Sequence, residues 1–588
     1  MPVDGAPQNS STLTDLFSGK RFIVPDFQRN YAWDKENRKD FWKDIKEGLK
    51  TDTAHYWGTI TLQRSPENDE YDDHTATPLK AYEVVDGQQR LTTFVLFLLA
   101  LSRSGQEGLR EKYIKTGEYY RLELGPLNDD ALKAVIDGED LPEDLDLKTN
   151  RRLTQTYEYF SNQIEAFGDV NSLARYIQGE TFCLEFKVED EELAISAFQS
   201  LNDRGRPLSL LDKAKSFLMF TAVKHLDEGV GKKVRETFGR VLRDYDHIEE
   251  IAESEGVEYI RNPRYRFSES ELLRLFYHYF GRYAIQEYGL TDKMAYDYSL
   301  TTEDTFDGFL KDSCSCLQGS DLEPYVLDYL ENFRGMVRQF REAMDAARTE
   351  SPYRRLLCFL GINASVYPLL LSACAEGIAE DLFELLEVLD LRVYKVRGTN
   401  PRASLYRNVI SNVRIDSDVD KACKGTRKFI QTFMGDDEFR QYLRSGIDDK
   451  SRAVKYILWH YQNRVSQESD YTLPEFDLWD YELYQDLEVE HIFPQSERIA
   501  LPGYGFQDEE EYLTFQGRLG NLTLLESALN SSAGDESPEH KTEIYQKSEV
   551  PGTSELGYEL ENEGFNKARI SERTDTISEF CLERWPIP

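Results

Sequence analysis

VEHIFPQS at 489–496 and LGNLTLL at 519–525 are the two segments from which the C-terminal region of this 588-residue chain is best approached. The first lies in DLEVEHIFP, which alternates like a strand and is ended by Pro494, a residue without an N–H for a sheet ladder. A side-chain period of two sends Glu490 and His491 to opposite sides of the strand end. The run LTLL predicts a second strand, opened by Asn521. Asn530 follows where a helix can begin, and Lys541 lies in a polar, helix-capable stretch.

Hydrolysis of a phosphodiester needs a nucleophilic water, a base and a cation for the developing charge. A histidine, with an unperturbed pKa of about 6.5, suits the base, which points to His491. Glu490 and Asn530 supply oxygen ligands suited to Mg²⁺ or Mn²⁺, with Zn²⁺ as an alternative. Asn521 suits a loop-holding role that keeps the imidazole oriented. Each residue alone reads equally as a strand-end histidine or a turn-forming asparagine. The ordered set resembles the HNH nuclease family. It is most similar to the branch at the C-terminus of modification-dependent restriction enzymes, with EHIxP, GNLTLL and the downstream Asn and Lys, over roughly residues 440–588. The resemblance implies a ββα-metal domain embedded in helices. It implies catalytic roles for His491, Asn521 and Lys541, and a metal on Glu490 and Asn530. Asn530 stands where the founding pattern has histidine, which leaves the metal open.

Three pieces stand out near the N-terminus: PDFQRNYAW at 25–33, VVDGQQRLTT at 84–93 and FQSLNDRGRPLSLLDKAK at 198–215. Asp86-Gly87 makes a tight turn between a strand and a helix, and a helix N-terminus offers free N–H groups to an anion. Gln88, Gln89 and Arg90 lie on the first helical turn with Thr92 behind them. Gln28 and Arg29 again join an amide to a guanidinium, a pairing suited to phosphate. Asn202 and Arg204 form a polar turn, with Lys215 one helical stretch on. Read singly, these arginines are surface ion-pair partners and the DGQQR turn is a helix cap. Together the pieces resemble the N-terminal domain of the GmrSD type IV restriction family, over roughly residues 10–225, with Trp57-Gly58 as its aromatic–glycine strand start. The resemblance implies a ParB-like α/β fold, binding and hydrolysis of a nucleoside triphosphate at the DGQQR turn, and sensing of modified DNA. Tyr31 and Trp33 are either nucleotide or DNA contacts or core aromatics.

Outward from these motifs, strands are predicted at WGTITLQR, AYEVVD and TFCLEFKV, and helices at RKDFWKDIKEGLK and GQQRLTTFVLFLLALSRS. Residues 126–147 are acidic and read as a surface excursion. Residues 230–460 carry apolar side chains at helical spacing almost throughout. The expected organisation is α+β and multidomain: a ParB-like domain over 1–228, an all-α connecting region over 229–440 and a nuclease domain over 441–588. Basic clusters in the middle (Arg261, Arg264, Arg266; Arg392, Lys395, Arg397; Arg402, Arg407) either line a DNA path or form ordinary ion pairs.

Composition bounds the rest. The chain carries 70 basic and 107 acidic residues, a net charge of −37, without the basic footprint usual in nucleic-acid binders. A strongly acidic surface suits very high salt, where charges are screened over roughly 3 Å at 1 M, so a halophilic host is expected. The seven cysteines form no zinc or disulfide framework and read as buried thiols. The longest apolar stretch, Phe94–Leu101, falls short of the roughly 20 residues of a membrane span. The first residues lack a signal-peptide pattern, so a cytoplasmic location is expected. Effectors that respond to phosphorothioated DNA are similar in domain order. The expected activity is therefore nicking or cleavage of DNA carrying phosphorothioate or modified bases in antiphage defence, with homo-oligomers compatible. The alternatives are a nucleotide-dependent DNA-binding regulator with an inactive nuclease domain, and an RNA-cutting toxin.

Overall fold

The computed structural model describes residues 10–25, 31–51, 53–72, 77–140, 148–188, 209–290, 299–317, 319–416, 418–448, 450–469, 471–495 and 501–588. The chain divides into two compact units, Met1–Glu250 with Thr302–Arg338, and Ile251–Thr301 with Gln339–Pro588. The helices of 229–440, expected as one connecting domain, are shared between the units. The helix Leu322–Ala346 shows why. Its Phe333 packs on Phe238 inside the first unit, and its Phe340 packs on Phe267 inside the second. Long amphipathic helices join whichever core their apolar stripe meets, and one helix can serve two.

The first unit is built on a mixed sheet. Its strands are β1 (Ser10–Thr12), β2 (Lys20–Ile23), β3 (His55–Arg64), β4 (Glu70–Asp72), β5 (Thr77–Asp86), β8 (Leu122–Glu123) and β9 (Thr181–Val188), while β6 (Lys115–Thr116) and β7 (Tyr119–Tyr120) form a separate ribbon. Among the described residues the order is β1-β9-β3-β5-β2-β8, with β4 on β5. β2 runs parallel to β5 and β8, and β3 parallel to β9 but antiparallel to β5. The predicted strands and helices are all present. The helix Gln88–Arg103 is apolar around its whole circumference, and every residue from Leu91 to Ser102 is buried, so it forms the centre of the core. Phe41 of the helix Lys35–Thr51 packs edge-on against its Phe94 and Phe97. The expected surface excursion at 126–147 is corrected in part. The helix Pro126–Asp137 puts Ala131, Leu132, Val135 and Ile136 into this core and keeps its acidic residues outside.

The second unit is mostly helical. Its two-stranded sheet pairs β10 (Leu487–His491) antiparallel with β11 (Leu522–Glu526), with Glu490 opposite Thr523 and His491 opposite Leu522. The short helix Ser527–Ala533 follows directly, then Pro538–Tyr545, Pro551–Glu563 and Lys567–Arg584. Ile492, Phe493, Leu525 and Tyr545 belong to the core beneath the hairpin. Asn530, expected where a helix begins, lies in the interior of Ser527–Ala533 instead. Among the described residues no helix is long and apolar enough to cross a membrane.

Candidate active site

The end of β10 is held from three directions. Asn521, 1% exposed, lies in the turn Leu519–Asn521 just before β11. Its side-chain oxygen accepts the Phe493 N–H (2.9 Å) and its amide donates to the Gln516 carbonyl (3.0 Å). Its own carbonyl accepts the Ile492 N–H (2.9 Å). The two residues after His491 are thus tied to one asparagine. The turn is anchored in turn by the helix Lys567–Arg584. The half-buried Arg573 guanidinium donates to the Gly520 (3.1 Å) and Leu522 (2.7 Å) carbonyls, and the Gly520 N–H donates to Thr574 Oγ1 (3.1 Å). Gly520 is required there, because a Cβ would meet the Ile570 carbonyl and sit 2.7 Å from the Thr574 nitrogen.

Glu490 is buried, and one of its oxygens accepts both Lys541 Nζ (2.6 Å) and the Tyr545 hydroxyl (3.0 Å). Lys541, 1% exposed, also donates to the His491 carbonyl (2.7 Å). Lys541 thus touches Glu490 and the strand end, and Asn521 touches the strand end. Burial, then the neighbouring Glu490, push the Tyr545 phenol well above its ordinary pKa and keep it a donor. His491 is half-buried, with Nε2 3.2 Å from the Gln495 side-chain amide.

Asn530 donates its amide to Glu488 Oε2, and Ser527 donates to Glu488 Oε1 (2.7 Å). These two bonds hold the Glu488 carboxyl below its usual range. Asn530 and Glu490, expected as one metal pair, thus each have their own partner in this structure. Glu488, Tyr545 and Arg573 were missed from the sequence. For Glu488 a signal existed, since the two-residue period puts it on the face of Glu490. Among the described residues no three His, Cys, Asp or Glu side chains converge as a metal-binding group. Of the expected pair, Glu490 has a second carboxylate oxygen and Asn530 a carboxamide oxygen to offer. Such a sparse oxygen set fits a hard ion that keeps several waters better than zinc, which takes at least three protein ligands.

In the first unit, Gly87 caps the helix Gln88–Arg103 with φ +94°, and a Cβ would lie 2.9 Å from the Thr59 carbonyl oxygen. Arg90 donates to that same carbonyl (2.8 Å) and lies 3.9 Å from the Asp86 carboxylate. Burial pushes the Asp86 carboxyl up, and Arg90 opposes the shift. The aromatic–glycine pair serves this arginine. Trp57 packs on Phe94, and a Cβ on Gly58 would sit 2.9 Å from Arg90 Nε. Gln89 accepts the Ala32 N–H (2.8 Å), joining the first and second sequence pieces. Tyr31 is a core residue, bonded through its hydroxyl to Thr93 (2.8 Å), and Trp33 packs against the same core. Gln88 and Thr92 are buried, as is Lys215 on the helix Leu210–His225. Gln28, Arg29, Asn202 and Arg204 lie outside the described residues.

One basic cluster of the second unit is occupied by its own carboxylates. Arg392 is buried and pairs with Asp436 (2.7 Å), Lys395 pairs with Asp390 (2.7 Å), and Arg397 reaches Glu438 (3.7 Å). For these residues the structure shows the ion pairs.

Two family models match the chain. Residues 13–219 match the GmrSD restriction endonuclease N-terminal domain, and residues 433–580 match the GmrSD restriction endonuclease C-terminal domain. No curated protein matches it. Both halves of the sequence resemblance are therefore present in order on one chain, one over the sheet that carries the DGQQR turn and one over the hairpin that carries His491. The chain belongs to the GmrSD restriction endonuclease family, a family of nucleases acting on DNA.

Proposed function

We propose that the protein is a modification-dependent DNA endonuclease whose C-terminal HNH-type site cuts or nicks under control of a nucleotide-binding, ParB-like N-terminal domain. The observation that carries the nuclease reading is the double tie of Asn521 to Ile492 and Phe493, which fixes the backbone just beyond His491. A base held this way loses little freedom when the substrate arrives. The His491 imidazole takes a proton from water, the water oxygen bonds to phosphorus, and the bond from phosphorus to the leaving oxygen breaks. Glu490 and Asn530 would hold Mg²⁺ or Mn²⁺, which when bound supplies charge neutralisation at the phosphate. Lys541 and Tyr545 keep the Glu490 carboxylate aimed.

In the first unit, the Asp86–Arg90 turn at the start of a buried helix receives the phosphates of a nucleoside triphosphate. Its occupancy reports a DNA mark, a phosphorothioate or a modified base, to the nuclease. A plasmid assay with Mg²⁺ or Mn²⁺ tests the site. His491→Ala should lose at least about a hundredfold in cleavage, the scale of one general base. Equal cleavage by both proteins would remove the assignment. Matched modified and unmodified DNA, with and without nucleotide and in Arg90→Ala, tests the control.

A further inference from the structure

The second unit contains a cleft of about 410 Å³ that no part of the nuclease reading uses. Its walls join the helix Arg452–Glu468, the segment around Trp479 and the end of the helix Lys567–Arg584. Two features set it apart on so acidic a chain. The first is a group of three guanidiniums, Arg355, Arg464 and Arg584. Arg355 and Arg584 flank one buried carboxylate, Glu387, at 3.1 and 3.2 Å. Glu387 also accepts the Tyr456 hydroxyl (2.9 Å) and the Trp585 indole N–H (2.6 Å). Two arginines are thus fixed in place while sharing one negative charge. Arg464 pairs with Glu468 (3.0 Å) and Glu583 (2.8 Å), two largely exposed carboxylates that line the same cleft, and such exposed pairs are weak enough for a phosphate to displace.

The second feature is a set of aromatic walls. Phe359 and Phe580 are buried, and the half-buried Trp479 stands edge-on to Phe359. Arginine forks suit phosphate and aromatic faces suit a base, and their combination is the chemistry of a nucleotide site. Asn463 and Gln467 bring carboxamides able to meet a base edge. Burial, then Arg584 and Arg355, hold the His460 imidazole well below its ordinary pKa, so the ring is neutral and offers one donor and one acceptor.

We propose that this cleft binds a single nucleotide, base against Trp479 and phosphate against Arg464 and Arg584. The cleft is of ligand-pocket size, too small for a duplex and sufficient for one base turned out of it. The helix Arg452–Glu468 links the cleft to the nuclease hairpin. It lines the cleft at one end, and near the other its Lys455 donates to the Leu487 carbonyl (2.6 Å) at the start of β10. An everted base of the DNA substrate is therefore the favoured source, with a free nucleotide as the other. The proposal rests on the DNA substrate of the family and not on the role of His491.

Binding is measured in EDTA, where no cleavage intervenes, with the full chain, a short labelled duplex carrying one mismatch, its matched counterpart, and ATP. Trp479→Ala and Arg464→Gln should each weaken binding about tenfold, the scale of one lost stack or one lost phosphate contact, and Trp479→Phe should restore most of it. Loss confined to the mismatched duplex assigns the base to DNA, and loss confined to ATP assigns it to free nucleotide. Unchanged affinity for all three probes in both variants overturns the proposal. Arg464→Gln alters a partly exposed, surface-paired side chain, so it carries the test should Trp479→Ala lower stability. Because binding is read in EDTA, where no cleavage occurs, this result stands apart from any failure of the nuclease assignment.

Discussion

At the scale of single residues, the candidate site depends on a buried charge pair. Lys541 and Glu490 are 1% and 9% exposed, and their contact is 2.6 Å. Removing one member of such a pair leaves the other charge buried without compensation, at a cost of roughly 3–5 kcal/mol. Lys541→Met should therefore destabilise the second unit by about 3 kcal/mol in urea unfolding, and adding Glu490→Gln should recover part of that loss. A single variant as stable as wild type would show that the pair does not lock the carboxylate. The motif lysine was legible as a member of the set, but its partner was not. Which carboxylate a lysine meets depends on residues about fifty positions away, as the separation of 490 from 541 shows.

At the scale of elements, the hairpin is only as well placed as the turn before β11. Gly520 lies against the helix Lys567–Arg584 with no room for a methyl group, so Gly520→Ala must push the turn off that helix. The Asn521 clamp moves with it. We expect cleavage to fall at least about tenfold, as for a displacement of the order of 1 Å at a catalytic group, with a lower melting temperature, while unfolding of the first unit is unchanged. Retained cleavage would show that the clamp is dispensable.

Lys455, at the base of β10, gives a pH signature. Burial, then the neighbouring Arg452, bring its ammonium from 10.5 down to about 8. Between those values the unfolded chain holds a proton that the folded chain has released. Stability of the second unit should rise with pH across about 8 to 10.5, and Lys455→Met should flatten that slope in melts at several pH values.

At the scale of the whole molecule, charge and thiols are both read directly. A net charge of −37 makes the compact state repel itself at low ionic strength, where the screening length is about 10 Å at 0.1 M. The melting temperature should climb steadily as KCl is raised toward molar concentration. Full stability in dilute buffer would count against a salt-adapted chain. The cysteines follow the expectation of buried thiols in six of seven cases, with Cys316 exposed. Burial pushes Cys183, Cys314 and Cys358 up to about 12, so they stay protonated and unreactive at neutral pH. The division into two units was not legible, because an apolar helical stripe does not state which core it will join.

The amino-acid sequence by itself determined the elements and the motif set. Alternation marked β10, a short apolar run marked β11, continuous apolarity marked the central helix Gln88–Arg103, and Asp86-Gly87 marked its cap, because periodicity and turn chemistry are properties of neighbouring residues. Only the tertiary structure decided the partners. It set Glu490 against Lys541 and Tyr545, gave Asn530 to Glu488, buried Tyr31, and brought Arg573 under the Gly520 turn. It also gathered Arg355, Trp479 and Arg584 around one cleft. Those contacts join residues far apart in the chain, and burial decides their energetics. A lysine or arginine out of water must find a carboxylate or a carbonyl, and packing alone determines which one lies within reach.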